Sequence, residues 1–230
     1  WCWNTYYKIM SLEVFKLKNC WLFDLDNTLY SPDSKIFDKI DLRMKKFIAE
    51  KLKISYEKAF EVQKNYYHKY GTTLFGLMKN YDIDPEEFLD FVHDIDMKNL
   101  KKDASLKRDI DNLPGNKFIY TNGDEKYAKK ILCCLGLTNV FDDIFDIKKA
   151  NFIPKPKVES LKSLIKKYNL KPKSIVYFED LEKNLQTAYK IGITTVHIKN
   201  SKQSADKKPF INYRFKTING ALDMIKKFLN

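Results

Sequence analysis

Two aspartates separated by a single residue are the part of this sequence best suited to chemistry. Asp24 and Asp26 follow directly after the apolar run at residues 20–23, whose length and continuity predict a β-strand buried on both faces. Side chains two residues apart in an extended chain point to the same side, so both carboxylates can face one ligand. The pair alone is also compatible with a simple turn.

Three later segments place further polar groups after predicted strands or at a helix start. One strand ends in threonine, asparagine and glycine, one lysine lies between two prolines, and another strand ends in two adjacent acids. Each alone has an ordinary explanation: a turn, one lysine among many, or a helix N-cap. Together with the aspartate pair they predict one site beyond the carboxyl ends of the strands. The residues are Thr121, Asn122, Lys155, Glu179, Asp180 and Asn184.

The elements that carry these residues predict an α/β fold. From the second strand onward, strands alternate with helices, which is typical of a Rossmann-like parallel sheet flanked by helices and joined by right-handed crossovers. The final segment, residues 211–230, predicts a short extended piece and a closing helix. The strand candidates are 20–24, 116–121, 143–147, 174–179 and 193–198, and the helices that alternate with them are 124–135, 156–168 and 182–191.

A long helical segment separates the first two strands. About ninety residues lie between them, whereas a crossover needs about a dozen. Ser55 is placed to cap a helix that ends at Gly71, and Asp84-Pro85-Glu86-Glu87 forms a capping box. We therefore expect an all-helical cap at residues 34–106 inserted in a core formed by 11–33 and 107–230. Apolar positions with helical spacing begin it, at Phe37, Ile40, Met44, Phe47 and Ile48.

Composition excludes several classes of function. The net charge of +12 suits nucleic acid, but all except three of the 42 basic residues are lysines, scattered along the chain, so we expect no nucleic-acid partner. No apolar run approaches the roughly 20 residues that span a bilayer, and we expect a cytoplasmic protein without a membrane partner, as a monomer or homodimer. The four cysteines fit neither a zinc site nor a disulfide framework and predict buried thiols.

The order of the motifs resembles the haloacid dehalogenase superfamily over residues 16–200. The helical insertion is similar to the cap of the subclass that includes phosphoglycolate phosphatases and β-phosphoglucomutases. Within it, the pyrimidine 5′-nucleotidases are most similar. Their first motif commonly reads Phe-Asp-(Leu/Ile)-Asp-Asn-x-Leu-Tyr, as from Phe23 to Tyr30, and their cap carries Tyr-Tyr-x-x-Tyr-Gly, as at 66–71.

This resemblance implies phosphate-ester hydrolysis. Asp24 would attack phosphorus and form an aspartyl-phosphate, while Asp26 would give a proton to the leaving oxygen and later take one from water. Thr121, Asn122 and Lys155 would bind the phosphoryl oxygens. Because a carboxylate and a phosphate repel each other, a cation is required, and Mg²⁺ prefers oxygen ligands. The expected ligands are Asp24, the backbone carbonyl of Asp26, and Asp180, supported by Glu179 and Asn184.

The predicted substrate is a pyrimidine nucleoside 5′-monophosphate such as UMP or CMP. Cap residues expected near the nucleobase are Tyr67, Tyr70, Thr72 and Thr73, with Tyr66 and Phe75 as further candidates. Aromatic residues at helical spacing also pack a cap's own core, and we expect this of at least half of these residues. The three histidines, His68, His93 and His197, are too dispersed for a metal site and are assigned no role.

Three alternatives stay open. Another small phosphate ester, phosphoglycolate or a sugar phosphate, would need the same chemistry. A dehalogenase would keep the fold, but displacing a halide needs no acid such as Asp26. A nucleic-acid-binding protein on a retired hydrolase scaffold is the non-enzymatic alternative, although retirement usually removes a catalytic group and none is missing here.

Overall fold

The computed structural model describes residues 13–199 and 207–229 of the chain. Six parallel strands form one sheet in the order β3-β2-β1-β4-β5-β6. All five predicted strands are present, and the extended piece after residue 211 adds the sixth at an edge. The strands are β1 Cys20–Phe23, β2 Asn116–Tyr120, β3 Asp143–Phe145, β4 Ile175–Glu179, β5 Thr194–Ile198 and β6 Tyr213–Phe215.

Both faces of the sheet are buried. Along β1, Trp21 and Phe23 pack into one apolar cluster, while Cys20 and Leu22 pack into another. This alternation follows from the two-residue repeat of an extended chain. Helices cover both faces, namely α6 Glu125–Leu135, α7 Val158–Lys167, α8 Glu182–Lys190 and α9 Ile218–Leu229. The α/β fold with a Rossmann-like parallel sheet is confirmed.

Between β1 and β2 the chain is helical. The cap consists of α1 Ile36–Leu52, α2 Tyr56–Tyr70, α3 Thr73–Asn80 and α4 Pro85–His93. The predicted caps are confirmed: Ser55 accepts from the Lys58 N–H at 3.3 Å, and Asp84 accepts from the Glu86 N–H at 2.9 Å.

One further helix, α5 Ala104–Asp111, leads back to the sheet. Lys226 of α9 donates to Asp109 at 3.3 Å, and Asn219 donates to Asp103 at 2.9 Å. Because these contacts tie α5 to the closing helix α9, α5 packs with the α/β core although it spans the predicted boundary at 106/107. The domain boundaries themselves stay a prediction.

Two local features differ from expectation. The helix predicted from 156 begins at Val158, because the Lys157 N–H donates to the Pro154 carbonyl at 2.9 Å and closes a turn first. Cys20 is buried as expected, but Cys133 is exposed on α6, and Cys2 lies outside the described residues.

In the part of the chain that the structure describes, no helix combines the length and apolar character needed to cross a membrane.

Candidate active site

A buried lysine joins two of the predicted carboxylates at the carboxyl ends of the central strands. Lys155 Nζ lies 2.5 Å from Asp24 Oδ1 and 3.0 Å from Glu179 Oε2, and it also donates to the Tyr120 carbonyl at 3.0 Å. Burial opposes the charge of Lys155, but the two carboxylates outweigh it and hold the pKa of the lysine above its usual value. Lys155 is therefore a fixed cation at the end of β1, as a phosphoryl-binding group must be.

Asp24 has its second oxygen held from the loop that follows β1. Thr28 Oγ1 donates to Asp24 Oδ2 at 2.9 Å, so one oxygen faces a cation and the other a neutral donor. Burial and the nearby Glu179 raise the pKa of Asp24 to about 7, with Lys155 opposing them. A carboxyl group that is buried, held in one orientation and partly ionised at neutral pH is suited to act as a nucleophile.

Asp24, Glu179 and Asp180 form an acidic cluster whose ligand atoms all lie within 4.8 Å of one another. Burial, and then Glu179 and Asp24, raise the pKa of Asp180 to about 10. Burial also acts to raise the pKa of Glu179, but Lys155 and neighbouring donors hold it below its usual value. One lysine thus does not balance two buried acids and a half-buried one, and a further cation would stabilise their ionised forms.

The donor set of this cluster fits a hard divalent cation. Its ligand atoms are carboxylate oxygens, which Mg²⁺ prefers. Asn184 Oδ1, one turn into α8, is buried and has no hydrogen-bond partner within the described ranges. Such an orphaned acceptor costs about 1–3 kcal/mol, and water or a ligand on a bound cation would satisfy it. The predicted residues Asp24, Asp180, Glu179 and Asn184 therefore fit the predicted metal.

The adjacent acids Glu179 and Asp180 are held in place by hydrogen bonds, most of them from the sheet. Tyr177 donates to Glu179, and the Leu181 N–H donates to Glu179 Oε1 at 3.1 Å. His197 Nε2 lies 2.8 Å from the Asp180 carbonyl, and Arg214 Nε donates to His197 Nδ1 at 3.1 Å. Because Nδ1 accepts from arginine, the imidazole is neutral and donates from Nε2. His197, given no role from the sequence, thus positions the acid pair.

Thr121 and Asn122 lie where the sequence places them, but much of their hydrogen-bonding capacity is used internally. Thr121 Oγ1 accepts from the Gly123 N–H at 3.0 Å. Asn122 Oδ1 accepts from the Lys155 N–H at 2.8 Å, and its Nδ2 lies 3.3 Å from the Lys155 carbonyl. The Asn122 side chain therefore fixes the backbone that carries Lys155.

Asp26 contacts two tyrosines rather than the lysine. Tyr30 and Tyr127 both donate to Asp26 Oδ1, each at 2.5 Å, and their own oxygens are 3.4 Å apart. Tyr30 belongs to the loop after β1, whereas Tyr127 lies in the first turn of α6. Both phenols are buried, so this oxygen of Asp26 is held from two directions.

A histidine from the cap braces one of these tyrosines. The ring of His93, the last residue of α4, stacks on Tyr127 with centroids 4.1 Å apart and planes 13° apart. His93 Nδ1 lies 2.8 Å from Asp124 Oδ1, and the same carboxylate caps α6 by accepting from the Tyr127 N–H at 3.2 Å. His93, also given no role from the sequence, thus links cap and core beside the site.

A cavity of about 330 Å³ lies between the cap and these groups. Asp24, Asp26, Lys155 and Asp180 line its core side, and apolar residues of the cap line much of the opposite wall. Those apolar residues are Phe37, Ile40, Met44, Leu74, Phe88, Leu89 and Val92. The arrangement offers a phosphoryl group a charged end and its leaving group a largely apolar chamber.

The predicted cap residues divide into two groups. Tyr67, Thr72 and Thr73 line the cavity, but the Thr72 hydroxyl caps α3 and the Thr73 hydroxyl donates to the Gln63 carbonyl at 3.1 Å. Tyr70 is not among the lining residues; its hydroxyl lies 3.3 Å from Asn80 Nδ2. Tyr66 and Phe75 are likewise outside the wall. The two threonines shape the wall chiefly through local structure.

Three polar residues of the cap wall were not anticipated: Asp41, Gln63 and Lys64. Gln63 Nε2 donates to the carbonyl and side chain of Asp41, at 3.1 and 2.8 Å, and Lys64 donates to the same carboxylate at 2.7 Å. Since both partners of Nε2 are acceptors, the amide orientation is fixed and Oε1 is the atom left without a partner within the described part of the chain. No motif marks these residues, because helices α1 and α2 bring them together.

Comparison with known proteins gives a consistent family. The profile of the haloacid dehalogenase-like hydrolases matches residues 19–192. The chain is similar to phosphate metabolism protein 8 of Saccharomyces cerevisiae, with 26% identity over 192 residues that cover 76% of this chain. It spans 60% of the length of that yeast protein.

Solved structures share the fold at low identity. A HAD phosphatase from Thermococcus onnurineus has a TM-score of 0.62 at 19% identity, covering 92% of this chain and 98% of that one. The Bacillus subtilis HAD-hydrolase YfnB has 0.59 at 15%, covering 93% and 99%. An L-2-haloacid dehalogenase from Xanthobacter autotrophicus has 0.59 at 10%, covering 91% and 98%. Proteins named for two different reactions share this fold. The fold therefore does not determine the reaction, which has to be argued from the residues of the site. Since the family profile spans well over half of the chain, from β1 to the end of α8, the chain belongs to the haloacid dehalogenase-like hydrolases.

Proposed function

We propose that this hydrolase is a Mg²⁺-dependent phosphomonoesterase that works through an aspartyl-phosphate on Asp24. The observation that carries the proposal is the contact of Asp24 with Lys155 in a buried cleft that also holds Asp26 and an acidic cluster. When bound at that cluster, Mg²⁺ would neutralise charge that otherwise keeps a carboxylate from approaching a phosphate.

Asp24 is the group that forms the new bond. One of its carboxylate oxygens attacks phosphorus while the bond from phosphorus to the leaving oxygen breaks, and that oxygen keeps the electron pair. Lys155, 3% exposed, places a positive charge beside the transferring group. Asp26 gives a proton to the leaving oxygen and afterwards takes one from the water that hydrolyses the aspartyl-phosphate.

Asp26 also favours a phosphatase over a dehalogenase. A halide leaves without a proton, so a carbon–halide displacement has no use for a second carboxylate at the cavity wall. Here Asp26 lines the cavity, and two phenols hold its carboxylate in one orientation. A carboxyl group fixed in this way is suited to proton transfer to an alkoxide.

For the substrate we propose a pyrimidine nucleoside 5′-monophosphate. The cap wall combines apolar side chains with the polar cluster of Asp41, Gln63 and Lys64. Gln63 is 1% exposed, and its amide oxygen has no partner among the residues that the structure describes. An unsatisfied buried acceptor costs about 1–3 kcal/mol, and a nucleobase N–H would satisfy it. Uracil offers such a donor at its ring N–H and cytosine at its amino group. Phosphoglycolate and sugar phosphates remain the competing esters.

The proposal is tested by assaying UMP, CMP, AMP, phosphoglycolate and sugar phosphates with Mg²⁺, with and without EDTA. We expect turnover that EDTA abolishes and that Asp24→Asn removes, with trapping of ³²P on the wild-type protein alone. Indifference to EDTA, or near-normal activity of Asp24→Asn, would refute the mechanism.

The nucleotide assignment has its own variant. Gln63→Leu removes the amide oxygen, together with the bonds of Nε2 to Asp41, and keeps a side chain of similar size. We expect KM for UMP and CMP to rise about tenfold, the worth of one hydrogen bond of about 1.4 kcal/mol. KM for phosphoglycolate should stay unchanged. Gln186→Leu, on the exposed side of α8, is the matched control. A flat substrate profile would refute only the nucleotide assignment.

A further inference from the structure

One carboxylate of the site has two different oxygens. Asp26 Oδ1 accepts from both Tyr30 and Tyr127 at 2.5 Å, which occupies the two acceptor directions of a carboxylate oxygen. No hydrogen bond to Asp26 Oδ2 is formed among residues 13–199 and 207–229. Since Asp26 lines the cavity, Oδ2 is the oxygen available to a ligand.

We infer that Tyr30 and Tyr127 are positioning residues that hold Asp26 by Oδ1 so that the proton of the reaction moves on and off Oδ2. This inference rests on the proposed phosphatase function and adds residues to it. In the first half-reaction the O–H bond at Oδ2 breaks and the proton goes to the leaving oxygen as its bond to phosphorus breaks. In the second, Oδ2 takes a proton from the attacking water, so Asp26 ends as it began.

Two donors are needed because a lone carboxylate can rotate. A single hydrogen bond to Oδ1 leaves the carboxyl group free to turn about its χ2 bond, which is a broad torsion. Two donors from different elements, the β1 loop and α6, fix both the position of Oδ1 and the plane of the group. Acid–base catalysis depends on this placement, because the donor must lie within hydrogen-bond reach of the leaving oxygen.

The surroundings of Tyr127 support this role. Its ring is 1% exposed and is stacked against His93, while Asp124 anchors both His93 and the Tyr127 backbone. Because His93 comes from the cap and Asp124 from the core, the cap adds a ring contact to a phenol that the core already holds through Asp124 and Asp26. The restraint on Asp26 is therefore made by three parts of the fold at once.

The test uses Tyr30→Phe, Tyr127→Phe and the double variant, each with two substrates. One is the best alkyl phosphate of the substrate panel, whose leaving alkoxide needs a proton. The other is p-nitrophenyl phosphate, whose leaving phenolate does not. The quantity compared is kcat/KM, since it covers only the steps up to release of the leaving group.

We expect each variant to lower kcat/KM for the alkyl phosphate by about 10- to 100-fold, a part of the 10²–10⁴-fold that acid catalysis supplies. For p-nitrophenyl phosphate the loss should stay under about threefold. For the alkyl ester, the loss should fall on kcat with KM unchanged. Asp26→Asn should show the same selectivity, more strongly, while Tyr168→Phe, which loses a phenol bonded to Asp143 away from the cavity, should change neither substrate.

Equal losses for both substrates, or no loss for either, would overturn the positioning role. If one variant fails to fold, as judged by its thermal melt, the other decides, because each phenol makes its own bond to Asp26. A wild-type protein that hydrolyses neither ester with Mg²⁺ would instead refute the phosphatase proposal itself, and the positioning role with it.

Discussion

At the scale of single residues, the site places carboxylates so close together that they repel one another, and binding of a cation would relieve this repulsion. The cluster of Asp24, Glu179 and Asp180 has one buried lysine beside it. Burial raises the pKa of Asp24 to about 7 and that of Asp180 to about 10. The proposed mechanism needs both groups as anions. Acids placed side by side in this way lower the stability of the metal-free protein, and this cost is consistent with a site arranged to bind a cation.

This conflict predicts how stability depends on pH when no metal is present. In the unfolded chain Asp180 titrates near its ordinary value of 3.8, while in the folded protein its pKa is about 10. Between these values the folded state binds more protons, so stability falls as pH rises. The fall is at most about 1.4 kcal/mol per pH unit for this group.

The measurement is urea denaturation of wild type and Asp180→Asn in EDTA at pH 5.5, 7 and 8.5. The wild type should lose stability relative to the variant as pH rises, and the variant should be the more stable one at pH 8.5. Adding Mg²⁺ should stabilise the wild type but not Asp180→Asn. Parallel pH profiles in EDTA would contradict the proposed origin of the shift.

The sequence revealed only the part of the site that lies in local motifs. Asp24 and Asp180 could be predicted because each directly follows a strand, and strand ends of a parallel sheet meet. Lys155 could be predicted from its place between two prolines shortly before a helix. His93 and Gln63 could not, since their partners, Asp124 and Asp41, come close only through packing of separate helices. Spacing along the chain carries no signal for such contacts.

At the scale of elements, two helices of the cap approach each other unusually closely. Gly76 of α3 faces Tyr66 of α2, and a Cβ built on Gly76 would lie 2.4 Å from Tyr66 Cβ and 2.5 Å from its Cγ. Because the backbone fixes the position of Tyr66 Cβ, no change of rotamer can relieve that contact. The pairing of α2 with α3, behind the cavity wall formed by Tyr67 and Thr73, therefore requires glycine at this position.

We predict that Gly76→Ala destabilises the protein by about 1–3 kcal/mol, the usual cost of overpacking, although alanine favours helix by about 1 kcal/mol. Gly220→Ala in α9 is the matched control, because its Cβ would meet only Thr217 Oγ1, at 3.4 Å. That change should stabilise slightly, by up to about 1 kcal/mol. Thermal melts of both variants decide, and a neutral Gly76→Ala would show that α3 can move away from α2.

The types of the elements were predictable from the sequence, whereas several of their first and last residues, and one helix, were not. Strand burial and caps such as Ser55 and Asp84 are local signals, and the structure confirms them. The sequence did not predict α3, Thr73–Asn80, as a separate helix. Its start depends on Thr72, which caps it after the turn at Gly71. Gly71 has φ +94° and lies against the Lys155 carbonyl, a tertiary contact that sets where the turn falls.

At the scale of the whole molecule, the cap and the core present complementary groups to each other. The core contributes lysines and the cap contributes acids and aromatic rings. Lys183 Nζ lies 3.8 Å from the Tyr67 ring centroid and Lys157 Nζ 3.9 Å from that of Phe75. Lys126 pairs with Asp90 at 2.6 Å, and Lys148 pairs with Glu86. Exposed pairs of this kind are individually weak, so the cap is held by many small contacts around the cavity.

The excess of lysines over these partners predicts long-range attraction of substrate. The chain carries a net charge of +12. The cavity wall itself holds three lysines and five acids, so the attraction comes from the charge of the whole molecule rather than from the cavity lining. A phosphomonoester dianion approaching such a field is steered toward it, and steering of this kind raises association rates by 10- to 10³-fold at low salt. Salt screens the field, because the Debye length falls from about 30 Å at 0.01 M to about 10 Å at 0.1 M.

We therefore expect kcat/KM for a phosphomonoester to fall several-fold between about 0.02 and 0.3 M ionic strength, while kcat changes little because the bound ester is inside the cavity. Steady-state kinetics at fixed free Mg²⁺ measure both constants. Potassium chloride and potassium acetate should act alike at equal ionic strength, since screening does not depend on the anion. A kcat/KM that is independent of salt would mean that the lysines serve cap contacts and solubility, and that capture of substrate depends on the buried charges alone.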